Sequence, residues 1–225
     1  MKTLKRWAEW YNIKVNILLK WRKVLTYIII SVSMKPGEFI KEFIAKDGKH
    51  ITIRALDICD VEGMLAHINN LVDEDAFLII NTKTDYISEL EYVTKAIKSM
   101  LYGDALAIVA IAEGKFVAEA DIRRGIGRAN EIGSLGIAIA KEYRGIGLGK
   151  ELMTLLLDLA KKDNYKVIKL GVYSPNITAK RLYEKVGFKV AGKIPYSKMK
   201  DKYMDEIIMY KELWNIIQYK QLKNY

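Results

Sequence analysis

The stretch from Leu135 to Lys150 carries the strongest chemical signal in the sequence. An apolar, strand-like run leads into a loop that contains Gly145, Gly147 and Gly149, and a helical pattern begins directly after it. Main-chain N–H groups at a helix N-terminus, together with the helix dipole, attract anions, and glycines let a phosphate approach the backbone closely. This spacing predicts a phosphate-binding loop.

Two better-known phosphate loops do not fit this stretch. A P-loop requires Ser or Thr after its Gly-Lys pair to ligate magnesium, but Lys150 is followed by Glu151. A dinucleotide-binding fingerprint places its third glycine three residues after the second, whereas Gly149 comes two residues after Gly147. Arg144 and Lys150 supply cations for charge-assisted contacts with a phosphate. The loop therefore belongs to another class of anion site.

A second motif follows the glycine loop at residues 176–188. It reads Asn-Ile-Thr-Ala-Lys-Arg-Leu-Tyr-Glu-Lys-Val-Gly-Phe, and residues 144–149 read Arg-Gly-Ile-Gly-Leu-Gly. The two stretches resemble the Asn-X-X-Ala-X-X-Leu-Tyr-X-X-X-Gly-Phe signature and the Arg/Gln-X-X-Gly-X-Gly/Ala pyrophosphate motif of the GNAT superfamily of acetyl-CoA-dependent N-acetyltransferases. The resemblance covers roughly residues 50–213, with both motifs in the family's order.

The resemblance implies that acetyl-CoA is the co-substrate and that no metal takes part. In the family, two parallel strands splay apart and pantetheine enters the gap, where main-chain groups of the first strand hold its amides. The following loop holds the pyrophosphate, and the Asn of the second motif contacts the cofactor near the thioester end. Carried over to this sequence, the expected cofactor-binding residues are Ile137, Ile139, Arg144, Gly145, Ile146, Gly147, Leu148, Gly149, Lys150 and Asn176.

The resemblance also implies two catalytic residues. Tyr183 stands where the family has its general acid, a phenol that can protonate the leaving thiolate. The attacking amine must first lose a proton, because an amine with a pKa near 10.4 is almost wholly protonated at pH 7. Glu131 is the expected base, since it precedes Arg144 by the 13 residues at which related histone acetyltransferases carry theirs. An ordered water is the alternative, and the reserve carboxylates are Glu119, Asp121 and Glu206.

The wider pattern predicts a mixed α/β fold. Helical periodicity over residues 57–71 and 86–101, a hairpin pattern over residues 105–122 and a later strand–helix–strand order indicate one central mixed sheet flanked by helices, as in the GNAT fold. The expected parts are a basic amphipathic helical extension (residues 1–49), the N-acetyltransferase domain (50–213) and a C-terminal tail (214–225).

The net charge of +10 is concentrated at the N-terminus, because residues 1–49 contain 11 Lys and Arg against 4 Asp and Glu. Two roles are open for this basic extension: contact with nucleic acid or a membrane surface, or packing on the domain or on a second copy in a homodimer. A third interpretation is that the protein starts at Met34 and the extension is not part of it. Its apolar run over residues 24–34 is too short for a transmembrane helix, which needs about 20 residues.

Cysteine and histidine are too scarce for several other functions. The single cysteine, Cys59, excludes an internal disulfide and cysteine-based zinc sites, and two histidines offer little for a metal centre or a serine-type triad. The expected function is cytoplasmic N-acetyl transfer from acetyl-CoA directly to a primary amine: a protein N-terminus, a lysine or a small amine. Acidic residues 73–75 could attract a cationic acceptor. The alternative is a non-catalytic acyl-CoA-binding scaffold, tethered to nucleic acid or membrane by its basic segment.

Overall fold

A mixed eight-stranded sheet lies at the centre of the structure, a computed structural model that describes residues 34–199 and 202–214. The elements in these ranges are β1 (Phe39–Ile44), β2 (His50–Ala55), α1 (Val61–Asp73), α2 (Tyr86–Leu101), β3 (Ala105–Ala112), β4 (Lys115–Arg124), β5 (Ile132–Ile139), α3 (Leu148–Lys162), β6 (Val167–Tyr173), α4 (Ile177–Val186), β7 (Lys189–Met199) and β8 (Lys202–Glu212). The strand order is β1-β2-β3-β4-β5-β6-β8-β7. β5 and β6 run parallel and the other neighbours antiparallel, which confirms the predicted mixed α/β fold.

Helices lie on both faces of this sheet. Ala138 of β5 packs with Ile68 and Leu71 of α1, whereas a β-carbon at Gly149 of α3 would stand 3.1 Å from Ile139 Cδ1. Because neighbouring residues of a strand point to opposite faces, α1 and α3 lie on opposite sides of β5. α2 accompanies α1, and α4 accompanies α3.

The sheet begins before residue 50, where the sequence suggested that the domain starts. β1 pairs with β2 in antiparallel register, and both Met34 and Ala45 belong to the hydrophobic core. The alternation of side chains did not reveal β1, because this edge strand buries little of its own surface. Residues 34–49 are therefore part of the same folded unit as the glycine loop. The described residues do not include the amphipathic helix expected before Met34, so the partners suggested for it stay predictions. They also do not include the tail from residue 215.

A buried ion pair joins the end of α3 to β4. Arg124 contacts Asp163 at 2.5 Å, and it also donates to the carbonyl oxygens of Gly103 and Asn130. Its guanidinium lies 3.9 Å above the centre of the Tyr165 ring. A buried pair with its remaining donors satisfied is costly to break, because one charge would be left without a partner. In the described ranges, no helix combines the length and apolar character needed to cross a membrane.

Candidate active site

β5 and β6 separate part of the way along their length. Ser134 and Lys169 are the last hydrogen-bonded partners, after which β5 continues beside β4 and β6 continues beside β8. The two parallel strands therefore leave a gap between their C-terminal ends. A gap of this kind offers unpaired main-chain groups to a ligand that lies along the strand.

The main chain at Ile137 and Ile139 faces this gap. The Ala140 N–H donates to Val117 O of β4 at 2.9 Å. Successive residues of a strand turn their N–H and C=O groups to opposite sides, so those of Ile139 and Ile137 point away from β4. The Ile139 carbonyl already accepts a hydrogen bond from Arg144 Nε at 2.8 Å.

The predicted phosphate loop connects β5 to the N-terminus of α3. Gly145 and Gly147 have φ angles of 79° and 98°, in the left-handed region that favours glycine, and Gly147 is the N-cap residue. Among residues 34–199 and 202–214 no side chain caps this helix, so the N–H groups of its first turn are available to an anion. A β-carbon at Gly149 would stand 3.0 Å from Leu182 Cδ2, so a larger residue there would press on Leu182 where α3 packs against α4. Leu148 belongs to the hydrophobic core, and Ile146 packs against that core.

The two cations of the loop have different surroundings. Besides its bond to Ile139, Arg144 forms an ion pair with Glu74 at the end of α1. The guanidinium predicted to contact a phosphate is therefore engaged between β5 and α1 in this structure. Lys150 is exposed in the first turn of α3.

Helix α4 carries the remaining residues of the second motif. Asn176 is its N-cap residue, and its Oδ1 accepts from the Ala179 N–H at 3.1 Å, which leaves the amide nitrogen as the donor it can offer to a ligand. Tyr183 is buried against Phe188, with ring centroids 6.2 Å apart. Burial raises the pKa of Tyr183 to about 12, which keeps the phenol protonated and able to donate at neutral pH.

Carboxylates cover two glycines at the start of the gap. Gly136 and Gly171 occupy equivalent register positions, two residues beyond the last pair of β5 and β6. A β-carbon at Gly136 would stand 2.7 Å from Asp121 Oδ1, and one at Gly171 would overlap the Glu206 carboxylate. These glycines therefore let carboxylates from β4 and β8 lie across the two gap strands.

Glu119 lies on the same face of the sheet as Asp121. It pairs with Ala138, inside the part of β5 that borders the gap, and Asp121 pairs with Gly136. Both line a cavity of about 140 Å³ between α2 and the sheet. Most of the cavity wall is apolar, with Leu56, Met64, Ala96, Ala105, Ala107, Ile108, Val109 and Ala120 among its lining residues.

Burial raises the pKa values of the carboxyl groups on this side of the sheet. Burial raises the pKa of Glu119 to about 8, and the charges of Asp121 and Glu89 add to the rise. Burial also raises the pKa of Asp121 to about 6, although Arg123, 2.8 Å away, opposes the change. Burial alone raises the pKa of Glu89 on α2. A carboxyl group with a pKa near 8 can exchange protons at physiological pH, which is what a general base requires.

Glu131, the base expected from spacing, lies elsewhere. It precedes β5 at the end where β5 and β6 are still paired, and its carbonyl accepts from the Lys166 N–H at 2.8 Å. Its side chain is exposed to solvent. The structure brings the reserve residues Glu119, Asp121 and Glu206 to the gap, but does not bring Glu131 there. In the described part of the chain, no three His, Cys, Asp or Glu side chains form a group able to hold a metal ion.

Sequence reasoning missed two components of this site. The first is the pair formed by Gly136 and Gly171, whose equivalent positions depend on strand register and are not visible in either strand alone. The second is the β1–β2 hairpin, which reaches the phosphate loop: the Lys46 N–H donates to Ile146 O at 3.0 Å. The cluster of lysines in residues 35–49 was the available signal for that contact.

The gap between β5 and β6 and the glycine loop at the start of α3 form the arrangement that the resemblance to the GNAT superfamily implies. A model of the acetyltransferase (GNAT) family matches residues 70–188, which are more than half of the chain. The protein therefore belongs to the GNAT acetyltransferase family, and the predicted family membership is confirmed.

Curated relatives match over shorter stretches. N-acetylaspartate synthetase of Xenopus tropicalis is 34% identical over 88 residues, which are 39% of this chain and 32% of that protein. Spermine/spermidine N(1)-acetyltransferase of Bacillus subtilis is 36% identical over 76 residues, which are 33% of this chain and 45% of the relative. The matches thus span about a third to a half of the length of these relatives.

Solved structures agree with the fold over a much larger share. The Salmonella typhimurium protein yncA, solved with its cofactor acetyl-CoA, superposes with a TM-score of 0.66 at 23% identity, covering 73% of this chain and 95% of that one. At this identity the agreement concerns the fold, and the chemistry has to be argued from the residues of this chain.

Proposed function

We propose that the protein is an N-acetyltransferase that moves an acetyl group from acetyl-CoA to a small aliphatic amine with more than one positive charge. The observation that carries this proposal is the pair of carboxylates, Asp121 and Glu206, lying over the two glycines at the start of the gap. Their position supports an acceptor that arrives as a cation, because carboxylates on both sides of an opening attract ammonium groups and repel anions.

The residues of this chain fit acetyl-CoA. The main chain at Ile137, on the side away from β4, can pair with an amide of the pantetheine arm. At Gly145 a β-carbon would meet no atom of the described part of the chain within 4 Å, which leaves room for a phosphate beside the first turn of α3. When bound there, acetyl-CoA supplies an activated acetyl thioester.

Glu119 is the proposed general base. An aliphatic ammonium has to lose a proton before it can attack, and Glu119 Oε can accept it directly or through a water. Its apolar cavity raises its pKa towards that of the amine, which makes the transfer less unfavourable. Glu131 remains the alternative base, in accord with the motif spacing.

Tyr183 is the proposed general acid. It lies on α4, beside the phosphate loop and on the opposite side of the sheet from Glu119, so a thioester in the gap would have the base on one side and the acid on the other. The Tyr183 Oη proton passes to the leaving sulfur as the new amide bond forms. The raised pKa keeps this phenol protonated before transfer, and it also makes Tyr183 a weaker acid than an exposed tyrosine.

The choice of a polyamine-like acceptor has two supports. The cavity that Glu119 and Asp121 line is mostly apolar, which suits the methylene chain between two amino groups. The name of the Bacillus subtilis relative also describes an enzyme that acts on spermine and spermidine. Lys95 and Arg123 also line this cavity, so the discrimination against an acceptor with an added carboxylate is expected from Glu206 and from Asp121 at the gap itself.

A panel of acceptors tests the proposal. Release of free CoA thiol is measured with spermidine, putrescine, aspartate and a peptide with a free N-terminus. We expect spermidine and putrescine to be acetylated and aspartate to be left unchanged. The Asp121→Asn and Glu206→Gln variants should lose that preference, whereas Asp158→Asn on the exposed side of α3 should keep it. Binding of acetyl-CoA without transfer to any acceptor would contradict the proposal and favour the non-catalytic scaffold.

A further inference from the structure

The β1–β2 hairpin contacts the phosphate loop directly. The Lys46 N–H donates to Ile146 O at 3.0 Å, and a β-carbon at Gly147 would stand 3.6 Å from Phe43 Cζ and 3.7 Å from Lys46 Cε. Lys41 reaches Glu151 in the first turn of α3 at 2.5 Å. The hairpin is therefore tied both to the loop and to the helix that the loop starts.

The contact comes from a part of the chain that the family model does not match, because that match begins at residue 70. It also brings cations to a loop whose own arginine is engaged. Arg144 pairs with Glu74, so its guanidinium is turned towards α1. A phosphate at the N-terminus of α3 would thus lack the Arg144 side chain, and Lys150 is the cation of the loop that stays exposed.

The three lysines of the hairpin have different partners. Lys41 pairs with Glu151, and Lys49 pairs with Asp47 while lying 5.7 Å from the centre of the Tyr143 ring. Within the described ranges, Lys46 has no carboxylate at ion-pair distance, and its side chain is exposed along Gly147. Lys46 is therefore the hairpin cation that can bind a phosphate without first breaking an ion pair.

We propose that Lys46 is a phosphate-binding residue, whose ammonium group contacts the diphosphate of acetyl-CoA at the glycine loop. The diphosphate is the expected contact because the Lys46 stem lies along Gly147, the residue from which the first-turn N–H groups of α3 start. The Lys46 main chain has a separate role, since its N–H orders the loop through Ile146 whatever side chain it carries. This inference rests on the proposed use of acetyl-CoA.

Calorimetric titration of the full chain separates the role of the Lys46 ammonium group from that of the Lys46 main chain. Wild type and Lys46→Met are titrated with acetyl-CoA, 3′-dephospho-acetyl-CoA and S-acetyl-pantetheine. Methionine keeps the main-chain bond and the apolar stem but removes the charge. We expect Lys46→Met to bind the first two ligands about ten-fold more weakly, as the loss of a charged contact implies, and to bind S-acetyl-pantetheine as wild type does. Lys46→Arg should restore the affinity, and Lys98→Met, an exposed lysine on α2, should not change it.

Three results would overturn the inference. Equal losses for all three ligands would show that residue 46 acts only on the shape of the loop. A loss confined to acetyl-CoA would place the contact at the 3′-phosphate. Unchanged affinity for every ligand would show that the ammonium group makes no phosphate contact. If wild type itself fails to bind acetyl-CoA, the proposed function is wrong, and that result is distinct from these three.

Discussion

Asp121 lies directly over Gly136: a β-carbon at position 136 would stand 2.7 Å from Asp121 Oδ1. Glu206 covers Gly171 in the same way on the neighbouring strand. Real β-carbons essentially never stand so close to another atom, so a side chain at either position would push aside the carboxylate above it. Each of the two gap strands thus has a carboxyl group above its glycine on the face that holds Glu119, while the phosphate loop holds positive potential at their ends.

Substitution of either glycine should impair the acceptor site. Gly136→Ala and Gly171→Ala would each displace a carboxylate, and we expect KM for a cationic amine to rise at least several-fold in each variant. Affinity for acetyl-CoA should change little, because the phosphate loop is untouched. Gly192→Ala is the matched control, since a β-carbon there would meet no atom within 4 Å. Steady-state kinetics with both substrates varied checks this, and an unchanged KM for the amine would argue against the site.

The Glu119 carboxyl group should set the acid limb of the pH–rate profile. A general base must be deprotonated, so kcat/KM should fall as pH decreases through a value near 8. Glu119→Gln should remove this limb and lower the rate about 10²- to 10⁴-fold. The two proteins are compared with one acceptor, so that the titration of the amine is common to both. If Glu131→Gln removes the limb and Glu119→Gln does not, the base is the residue indicated by the motif spacing.

Glu119 should also make stability depend on pH. The pKa of Glu119 is about 8 in the folded protein against an ordinary value of 4.5. Between pH 4.5 and pH 8 the folded protein therefore keeps a proton on Glu119 that the unfolded protein releases. Stability should therefore decrease as pH rises from 4.5 to 8. Glu119→Gln removes this loss, and its Tm should exceed that of wild type at pH 9 by more than at pH 5. Thermal unfolding at both pH values measures the difference, and equal differences would mean that Glu119 is not perturbed by burial.

Removal of the Tyr183 hydroxyl should slow acetyl transfer without unfolding the protein. Phenylalanine fills the same space beside Phe188, so Tyr183→Phe should bind acetyl-CoA normally while kcat falls about 10²-fold or more. Tyr165→Phe is the matched control, because Tyr165 is also buried but packs against Arg124, which binds the end of α3. An unchanged kcat in Tyr183→Phe would exclude the phenol as the proton donor.

The ion pair between Arg124 and Asp163 should matter for stability and not for chemistry. Asp163→Asn leaves a buried guanidinium without its charge partner, and we expect a loss of about 3 kcal/mol in the free energy of unfolding. Asp73→Asn, which breaks an exposed pair with Lys83, should cost less than about 1 kcal/mol. Urea denaturation of the three proteins compares them directly. Similar losses for the two variants would show that burial does not strengthen the Arg124 pair.

The parts of the site that depend on neighbouring residues could be predicted from the sequence. The glycine loop and the start of α3 follow from local spacing, and the helix over residues 86–101 has the predicted bounds, because an apolar stripe repeats along it. Tyr183 belongs to a motif whose residues all lie on one helix and the turn after it.

The parts that depend on distant pairing could not be predicted. Whether Glu119 faces Ala138 is decided by the register of β4 against β5, and a shift of one residue would turn it to the other face. β1 is an edge strand with little buried surface, so its sequence shows no clear alternation, and its position depends on its pairing with β2. Part of the excess positive charge near the N-terminus therefore lies in the folded unit, where Lys41, Lys46 and Lys49 approach the phosphate loop.

Acceptor-dependent release of CoA thiol, with mass analysis of the product, tests most directly whether the protein acetylates cationic amines at the gap. Wild type with acetyl-CoA and spermidine should yield singly acetylated spermidine and one equivalent of thiol per acetyl group transferred. The double variant Glu119→Gln, Tyr183→Phe should still bind acetyl-CoA and should form product at least 10²-fold more slowly. Product formation at the wild-type rate by the double variant, or no acetylated amine from wild type that has bound acetyl-CoA, would contradict the proposed reaction.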